Sequence, residues 1–243
     1  MLKKIFILFL LFYFYMHSIQ AIILEDLIKN NKLNQTIINK NIGYYLGSFD
    51  PIHNGHENVI QNILDKKLCD FIIIYPAWGG DKYKNRTNIN IRLEMLFSIF
   101  KNNKKVIVTK LNPQELQKKL ININAKYIGI IGSDLALYGV KNKKTREEFM
   151  SGKKITKNFK EHTQGCIMAL PVKSFIVAIR SGDSIKNLNN KIGNRKILAI
   201  VETKFADISS TKIRDLIKNK KPIKSIVNNT TDKIIKKYKL YQN

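Results

Sequence analysis

NIGYYLGSFDPIHNGHENVIQNILDKKL, residues Asn41 to Leu68, is the stretch that decides the fold. Its first seven residues, NIGYYLG, form an apolar run closed by glycine, the length of a strand. From Gly55 to Leu68, Val59, Ile60, Ile63, Leu64 and Leu68 recur at helical spacing on one face. A buried strand feeding at once into an amphipathic helix opens a strand–helix–strand unit, and the chain repeats the pattern downstream. CDFIIIYPA (Cys69 to Ala77) reads as a strand stopped by proline, Asn90 to Phe100 as a helix, and KVIVTK (Lys105 to Lys110) as a strand. Pro113 to Leu120 reads as a short helix and KYIGII (Lys126 to Ile131) as a strand. SFIVAI (Ser174 to Ile179) and KILAIV (Lys196 to Val201) are two more strands, and helices over Ser210–Asn219 and Thr230–Tyr238 close the chain. Continuous apolar strands alternating with helices predict an α/β fold whose parallel sheet is covered on both faces.

Around this body the chain changes character. Lys3 and Lys4 precede an unbroken apolar run, Ile5 to Met16, the layout of a secretory signal peptide over residues 1–21. Cleavage fits after Ala21 or after Ser18. An uncleaved anchor is the alternative, reaching toward the ~20 residues that span a bilayer if the apolar run extends to Leu24. An internal start-site artefact or an organelle presequence is a third. The protein is thus expected to be exported or membrane-anchored, and cytoplasmic if the body stays inside or the segment is an artefact. Residues 22–40 read as a linker with a short helix, 41–243 as the folded domain, and the polar, Lys-rich stretch Tyr138 to Gly165 as an insertion.

Of 243 residues, 43 are Lys or Arg and 18 are Asp or Glu, a net charge of +25. Such an excess suggests a nucleic-acid partner. Yet only six of the basic residues are Arg, and the surplus of Lys travels with Asn and Ile, as a compositional bias would produce. Arg supplies the bidentate contacts to guanine and phosphate that nucleic-acid readers use. No nucleic acid is therefore expected. The two cysteines, Cys69 and Cys166, exclude a disulfide framework and a cysteine-rich zinc site.

The chemistry gathers where the first strand ends. Ligands of open parallel sheets bind beyond the carboxyl ends of the strands, where loops meet helix N-termini. Gly47-Ser48-Phe49-Asp50-Pro51-Ile52-His53-Asn54-Gly55-His56 occupies that position. Gly47 lets backbone approach a ligand, and His53 and His56 flank Gly55 at the first helical turn. There each imidazole can donate to a phosphate oxygen and stabilise charge on a departing group. A metal role for the pair lacks partners, because only His17 and His162 remain. Near the other end, Ile208-Ser209-Ser210-Thr211-Lys212-Ile213-Arg214 follows the last strand and opens a helix. That makes a second hydroxyl-lined N-terminus with an arginine one turn on.

GSFDPIHNGH resembles the H-x-G-H signature of the nucleotidyltransferase superfamily, with wording closest to the nicotinate-nucleotide adenylyltransferases, and ISSTKIR is similar to that family's I-S-S-T-x-I-R. The resemblance extends over about Asn41 to Asn243, including the closing IVNNTTDKIIKKYKLY. It implies a Rossmann-like, doubly wound sheet and adenylyl transfer from ATP to the phosphate of a mononucleotide in NAD biosynthesis, with Mg²⁺ accompanying ATP. His53, His56, Arg214 and either Lys82 or Lys84, with Lys82 ahead, would then be catalytic. Gly47, Ser48, Phe49, Asp50, Gly55, Gly132, Asp134, Arg180, Ile208, Ser209, Ser210 and Thr211 would bind the nucleotide. Lys84, Arg92, Trp78 and Tyr138 would meet the acceptor. Nicotinate mononucleotide leads, nicotinamide mononucleotide follows, and phosphopantetheine fits less well, because relatives acting on it carry Thr in place of His53. Relatives acting on nicotinate mononucleotide usually place an aromatic after the Gly-x-Asp turn, where this chain reads Leu135-Ala136-Leu137-Tyr138. An exported or membrane-anchored nucleotide-binding protein of the same fold, or an adenylyltransferase acting on another phosphorylated acceptor, is the alternative reading.

Overall fold

A computed structural model describes residues 21–77, 86–111, 113–133, 136, 172–180, 190–192, 194–205 and 207–242, with backbone alone at 113, 114 and 180. Its centre is β2 (Asn41–Gly47), in which Ile42 to Leu46 are buried in unbroken succession. A strand buried on both faces must have neighbours on both sides and helices above and below. The other strands are β1 (Ile22–Ile23), β3 (Phe71–Pro76), β4 (Val106–Val108), β5 (Lys126–Gly132), β6 (Ser174–Arg180), β7 (Lys191–Ile192) and β8 (Arg195–Thr203). They form one eight-stranded sheet in the order β1-β4-β3-β2-β5-β6-β8-β7. Every pairing is parallel except the short β7–β8 hairpin. From β2 the chain steps outward to β3 and β4 through α3 (Asn54–Asp65) and α4 (Ile89–Phe100). It then crosses back beneath α5 (Pro113–Leu120) to place β5 on the other side of β2. The order of the strands reverses between β2 and β5, and the crevice at their carboxyl ends is the switch point where such sheets bind ligands.

Side chains alternate between two cores, as the period of two in a strand requires. Ile72 and Ile74 of β3 join one core with Val59, Ile60 and Ile63 of α3, Leu93, Met95 and Leu96 of α4, and Ile213 of α6 (Ser210–Lys218). Ile234 and Ile235 of α7 (Asn229–Lys237) complete it. Ile73 and Tyr75 join the other, with Leu24 of α1 (Leu24–Lys29), Leu33 and Ile37 of α2 (Leu33–Ile37), and Leu116 and Leu120 of α5. The doubly covered, Rossmann-like α/β sheet is thus borne out. Close packing across the sheet depends on Gly129, where a Cβ would lie 2.6 Å from the Phe175 ring.

Residues 22–40 depart from the sequence reading. Ile22 and Ile23 pair with Ile107 and Val108 as a parallel edge strand, and Leu24, Leu33 and Ile37 are buried. This is part of the domain rather than a linker, and an apolar leader that ran to Leu24 would have to pull a strand out of the sheet. Its two helices are of six and five residues, too short for a periodic signal. The hairpin of β7 was also invisible, because two residues carry no alternation. Among the described residues no helix is long and apolar enough to cross a membrane. The insertion from Tyr138 to Gly165 lies outside the described residues.

The helix read to Leu68 stops at Asp65, for a definite reason. Lys67 adopts φ 53°, and Leu68 N–H bonds back to the Ile63 carbonyl at 3.1 Å, a left-handed helix stop that usually employs glycine. The same device ends α1 at Asn31, α6 at Lys220 and α7 at Lys239. The Lys/Asn bias of the chain has reached even these positions.

Candidate active site

Gly47 ends β2, and Tyr45 pairs with Ile130. Two residues further along each strand, Gly47 and Gly132 therefore lie side by side at the carboxyl edge of the sheet. The loop that follows turns back sharply. Phe49 takes φ 45° and drives its ring under the loop, where it is fully buried. It meets Tyr45 edge-on at 5.3 Å and His56 at 5.0 Å between centroids. The space beside Gly47 belongs to that ring, since a Cβ there would sit 2.8 Å from Phe49 Cζ. Gly47 thus makes room for the Phe49 ring, and that ring is a prop beneath His56.

His53, extended at φ −147°, is the N-cap position of α3, and the helix begins at Asn54. His56 follows within the first turn, so the two imidazoles stack, with centroids 3.7 Å apart and planes at 29°. Gly55 makes this possible: a Cβ would come within 3.0 Å of His53 Nδ1. The pair thus stands at the amino end of α3, beside the crevice, where backbone dipoles favour an anion.

The second motif docks on the first. Ser210 Oγ donates to the Pro51 carbonyl at 2.9 Å, and Arg214 Nη1 to the Asp50 carbonyl at 2.7 Å. Arg214 Nη2 also donates to Thr211 Oγ1 at 3.1 Å. Ser209 caps α6 by accepting from Lys212 N–H at 3.1 Å. Ile208 is buried in the core near Ile213, so its side chain holds the motif in place. Two helix N-termini separated by about 160 residues of chain are in this way brought to one loop.

Asp50 is the hub of that loop. It is buried, its Oδ2 accepts from Thr87 N–H at 3.0 Å and its Oδ1 from the Tyr241 hydroxyl at 2.6 Å. Arg92 lies beneath, fully buried. Its Nε donates to the Thr87 carbonyl at 2.9 Å, and its Nη1 to the carbonyls of Ser48 and Ala77, both at 2.7 Å. Burial pushes the guanidinium down from its ordinary value, with Asp50 opposing, though an Arg so placed keeps its proton. Arg92 therefore ties together the β2 loop, the end of β3 and the entry to α4. In this arrangement the guanidinium is buried beneath the loop and not displayed on the crevice surface.

Three residues that sequence reasoning missed belong here. Arg86, half-buried, donates from Nε to Ser48 Oγ at 3.2 Å. Thr87 and Tyr241 hold Asp50. Arg86 carried a signal, since an Arg standing in a Lys-dominated loop of this chain is a departure from its own composition. Tyr241 closes the stretch that shares the family resemblance, but nothing local relates a C-terminal tyrosine to a loop nearly 200 residues away.

The remaining residues divide between the crevice and the undescribed segments. Gly132 pairs with Ala178, and the backbone of Arg180 with Thr203, placing both on the same carboxyl rim. Lys82, Lys84, Trp78, Asp134 and Tyr138 lie outside the described residues. No group of three or more metal-ligating side chains occurs among the described residues. A groove of about 750 Å³ runs along α3 to the end of α4, lined by Asn54, Glu57, Gln61 and Lys105 among others, but neither His53 nor His56 lines it.

The chain is similar to known proteins. Residues 44–216 match the model of the family described as cytidylyltransferase-like. The "Probable nicotinate-nucleotide adenylyltransferase" of Fusobacterium nucleatum is 33% identical over 198 residues, covering 81% of this chain and 97% of that protein. The protein of the same description from Clostridium novyi is 28% identical over 212 residues, covering 84% and 100%. Among solved structures, Plasmodium falciparum nicotinic acid mononucleotide adenylyltransferase complexed with NaAD superposes with a TM-score of 0.58 at 21% identity. The match covers 83% of this chain and 97% of that one, and at this identity it speaks for the fold. The stacked histidines at the switch point, the second motif docked on their loop and a family match spanning both lead to one conclusion: the chain belongs to the cytidylyltransferase-like family.

Proposed function

We propose that the protein is a nucleotidyltransferase that moves AMP from ATP to the phosphate of a pyridine mononucleotide, nicotinate mononucleotide first, in NAD biosynthesis. The observation that carries this reading is the union of two phosphate-type helix N-termini on a single loop, through Ser210–Pro51 and Arg214–Asp50. Relatives described as nicotinate-nucleotide adenylyltransferases support the choice of reaction and acceptor.

In the reaction an oxygen of the acceptor phosphate attacks the α-phosphorus of ATP in line. A new phosphoanhydride forms, the bond to the β-phosphate breaks, and pyrophosphate leaves with its electron pair. No covalent bond to the protein is needed, so catalysis rests on alignment and on charge placed where it develops. His53 and His56 at the amino end of α3 meet the triphosphate. Arg214 spends two of its donors on Asp50 and Thr211 and keeps the rest of its fork for the β- and γ-phosphates, beside Ser209, Ser210 and Thr211. Lys82 or Lys84 bridges donor and acceptor, and the rim formed by Gly132 and Arg180 receives the adenosine. ATP enters as its Mg²⁺ complex. Asp50, the carboxylate of this loop, already accepts from Thr87 and Tyr241, which fits an ion carried by substrate oxygens and water.

Pyrophosphate release from ATP, measured with each mononucleotide in turn, tests the proposal. His56→Ala should abolish release while the protein still folds. Near-normal turnover in that variant would remove His56 from the mechanism, and release with none of the acceptors would favour a nucleotide-binding protein of the same fold. Residues 1–21 are further proposed to target the chain for export or to anchor it, supported by Lys3 and Lys4 ahead of the Ile5–Met16 run. N-terminal sequencing of the protein recovered from its native cells tests this: a first residue at 19 or 22 indicates processing, whereas Met1 indicates retention.

A further inference from the structure

We propose that Tyr241, at the C-terminal tail, is a positioning residue for adenylyl transfer: its hydroxyl holds the Asp50 side chain and with it the loop that carries His53 and His56. The inference rests on the functional reading above and adds to it a residue far from both motifs.

The contact is short and sheltered. Tyr241 Oη lies 2.6 Å from Asp50 Oδ1, with Asp50 buried and Tyr241 half-buried. Hydrogen bonds to a carboxylate are the stronger kind, and leaving a buried carboxylate oxygen without its donor is costly. Burial, reinforced by the Asp50 charge, lifts the phenol well above its ordinary range, so it remains a donor at any pH at which the protein works.

The chain goes to some trouble to place that hydroxyl. After α7, Lys239 adopts φ 49° and Tyr241 φ 63°, two left-handed non-glycine residues within three positions. Such backbone persists where surrounding contacts over-determine it. Here those contacts are Leu240 N–H to the Ile235 carbonyl at 3.0 Å, the packing of Leu240 and Tyr241 on the core, and the Asp50 bond itself. One turn earlier, Lys237 Nζ and the Tyr238 hydroxyl grip the two oxygens of Glu94 on α4, at 2.9 and 2.7 Å. The tail is therefore strapped first to α4 and then to the catalytic loop. The Asp50 side chain is gripped from both directions, by Thr87 ahead of α4 and by Tyr241. Its backbone carbonyl meanwhile receives Arg214. Release of one oxygen would let the peptide that aligns Arg214 and precedes His53 rotate, a displacement to which in-line transfer is sensitive.

The test uses the full chain and three variants, Tyr241→Phe, Asp50→Asn and the double, with kcat and KM from pyrophosphate release and amide hydrogen exchange on the same preparations. Tyr241→Phe is expected to lower kcat roughly tenfold with KM for ATP nearly unchanged. The double variant should be no slower than Asp50→Asn, because the hydroxyl acts through that carboxylate. Exchange should quicken in peptides covering 48–56 and 86–90 and stay constant in 126–132. Unchanged kcat, additive losses in the double variant, or exchange that quickens uniformly would each overturn the proposal, the last by showing global loosening. If the unmodified chain releases no pyrophosphate with any mononucleotide, it is the functional reading that fails, and the exchange pattern still decides whether Tyr241 holds the loop.

Discussion

Replacing Arg92 by methionine separates two roles that predict opposite results. In the structure its guanidinium makes three hydrogen bonds to the carbonyls of Ser48, Ala77 and Thr87, at 2.7, 2.7 and 2.9 Å, in a fully buried position. Bonds to a charged group contribute about 1.5–3 kcal/mol each, so the gross loss is roughly 4–9 kcal/mol. Against this, methionine removes a buried charge whose desolvation costs several kcal/mol. Water entering the loop would also satisfy some of the stranded carbonyls. The net destabilisation should be about 3–5 kcal/mol, a large share of the roughly 5–15 kcal/mol that holds a domain together. Guanidinium chloride unfolding measures this directly, and turnover at a temperature where the variant is still folded should fall about 100-fold as the loop loses its anchor. Arg92→Lys should recover only part of either loss, because an ammonium cannot present a planar fork to three carbonyls. A variant with wild-type stability and a raised KM for the acceptor would refute this account, since that is the signature of a surface Arg gripping phosphate.

A chain beginning at Ala21 should fold and turn over normally, whereas one beginning at Asn41 loses the buried side chains of Leu24, Leu33 and Ile37. At about 1.5–3 kcal/mol each, that loss should leave the shorter chain unfolded or aggregated by circular dichroism. Lys67→Gly and Lys220→Gly, at φ 53° and 54°, should each raise stability by about 1 kcal/mol, read as a higher denaturation midpoint with unchanged slope. The carboxyl of Glu57 is raised above its ordinary 4.5 by burial, with Asn228 opposing. Folded protein therefore binds more protons than unfolded protein between 4.5 and the raised value, and stability falls as pH rises through that window. Glu57→Gln should be the more stable protein at pH 7, with the advantage gone below pH 4.5. An advantage independent of pH would remove Glu57 ionisation as its cause.

How much could be read in advance varied with the distance over which each feature is encoded. The central strands and long helices were legible because their periodicity spans many residues, and β2 and α5 kept the bounds read for them. The positions of His53, His56, Ser209 and Ser210 were legible because a strand end, a loop and a helix start are consecutive in the chain. The segment 22–40 was not, since a two-residue strand and helices of five or six residues have no period to detect. The packing roles of Phe49 and Arg92 were not legible for a different reason. Both types suit ligand binding, and only the backbone turn at φ 45° and the convergence of three carbonyls show that each is used internally.

By itself, the amino-acid sequence determined the α/β class, the parallel sheet and the phosphate-type motifs, because hydrophobic period and motif spacing are local properties of the chain. Tertiary structure decided the strand order, the docking of the second motif on the first and the anchoring of Asp50 by Thr87 and Tyr241. Those depend on which distant segments the closing of a common core brings within hydrogen-bond reach, a relation that no local pattern records.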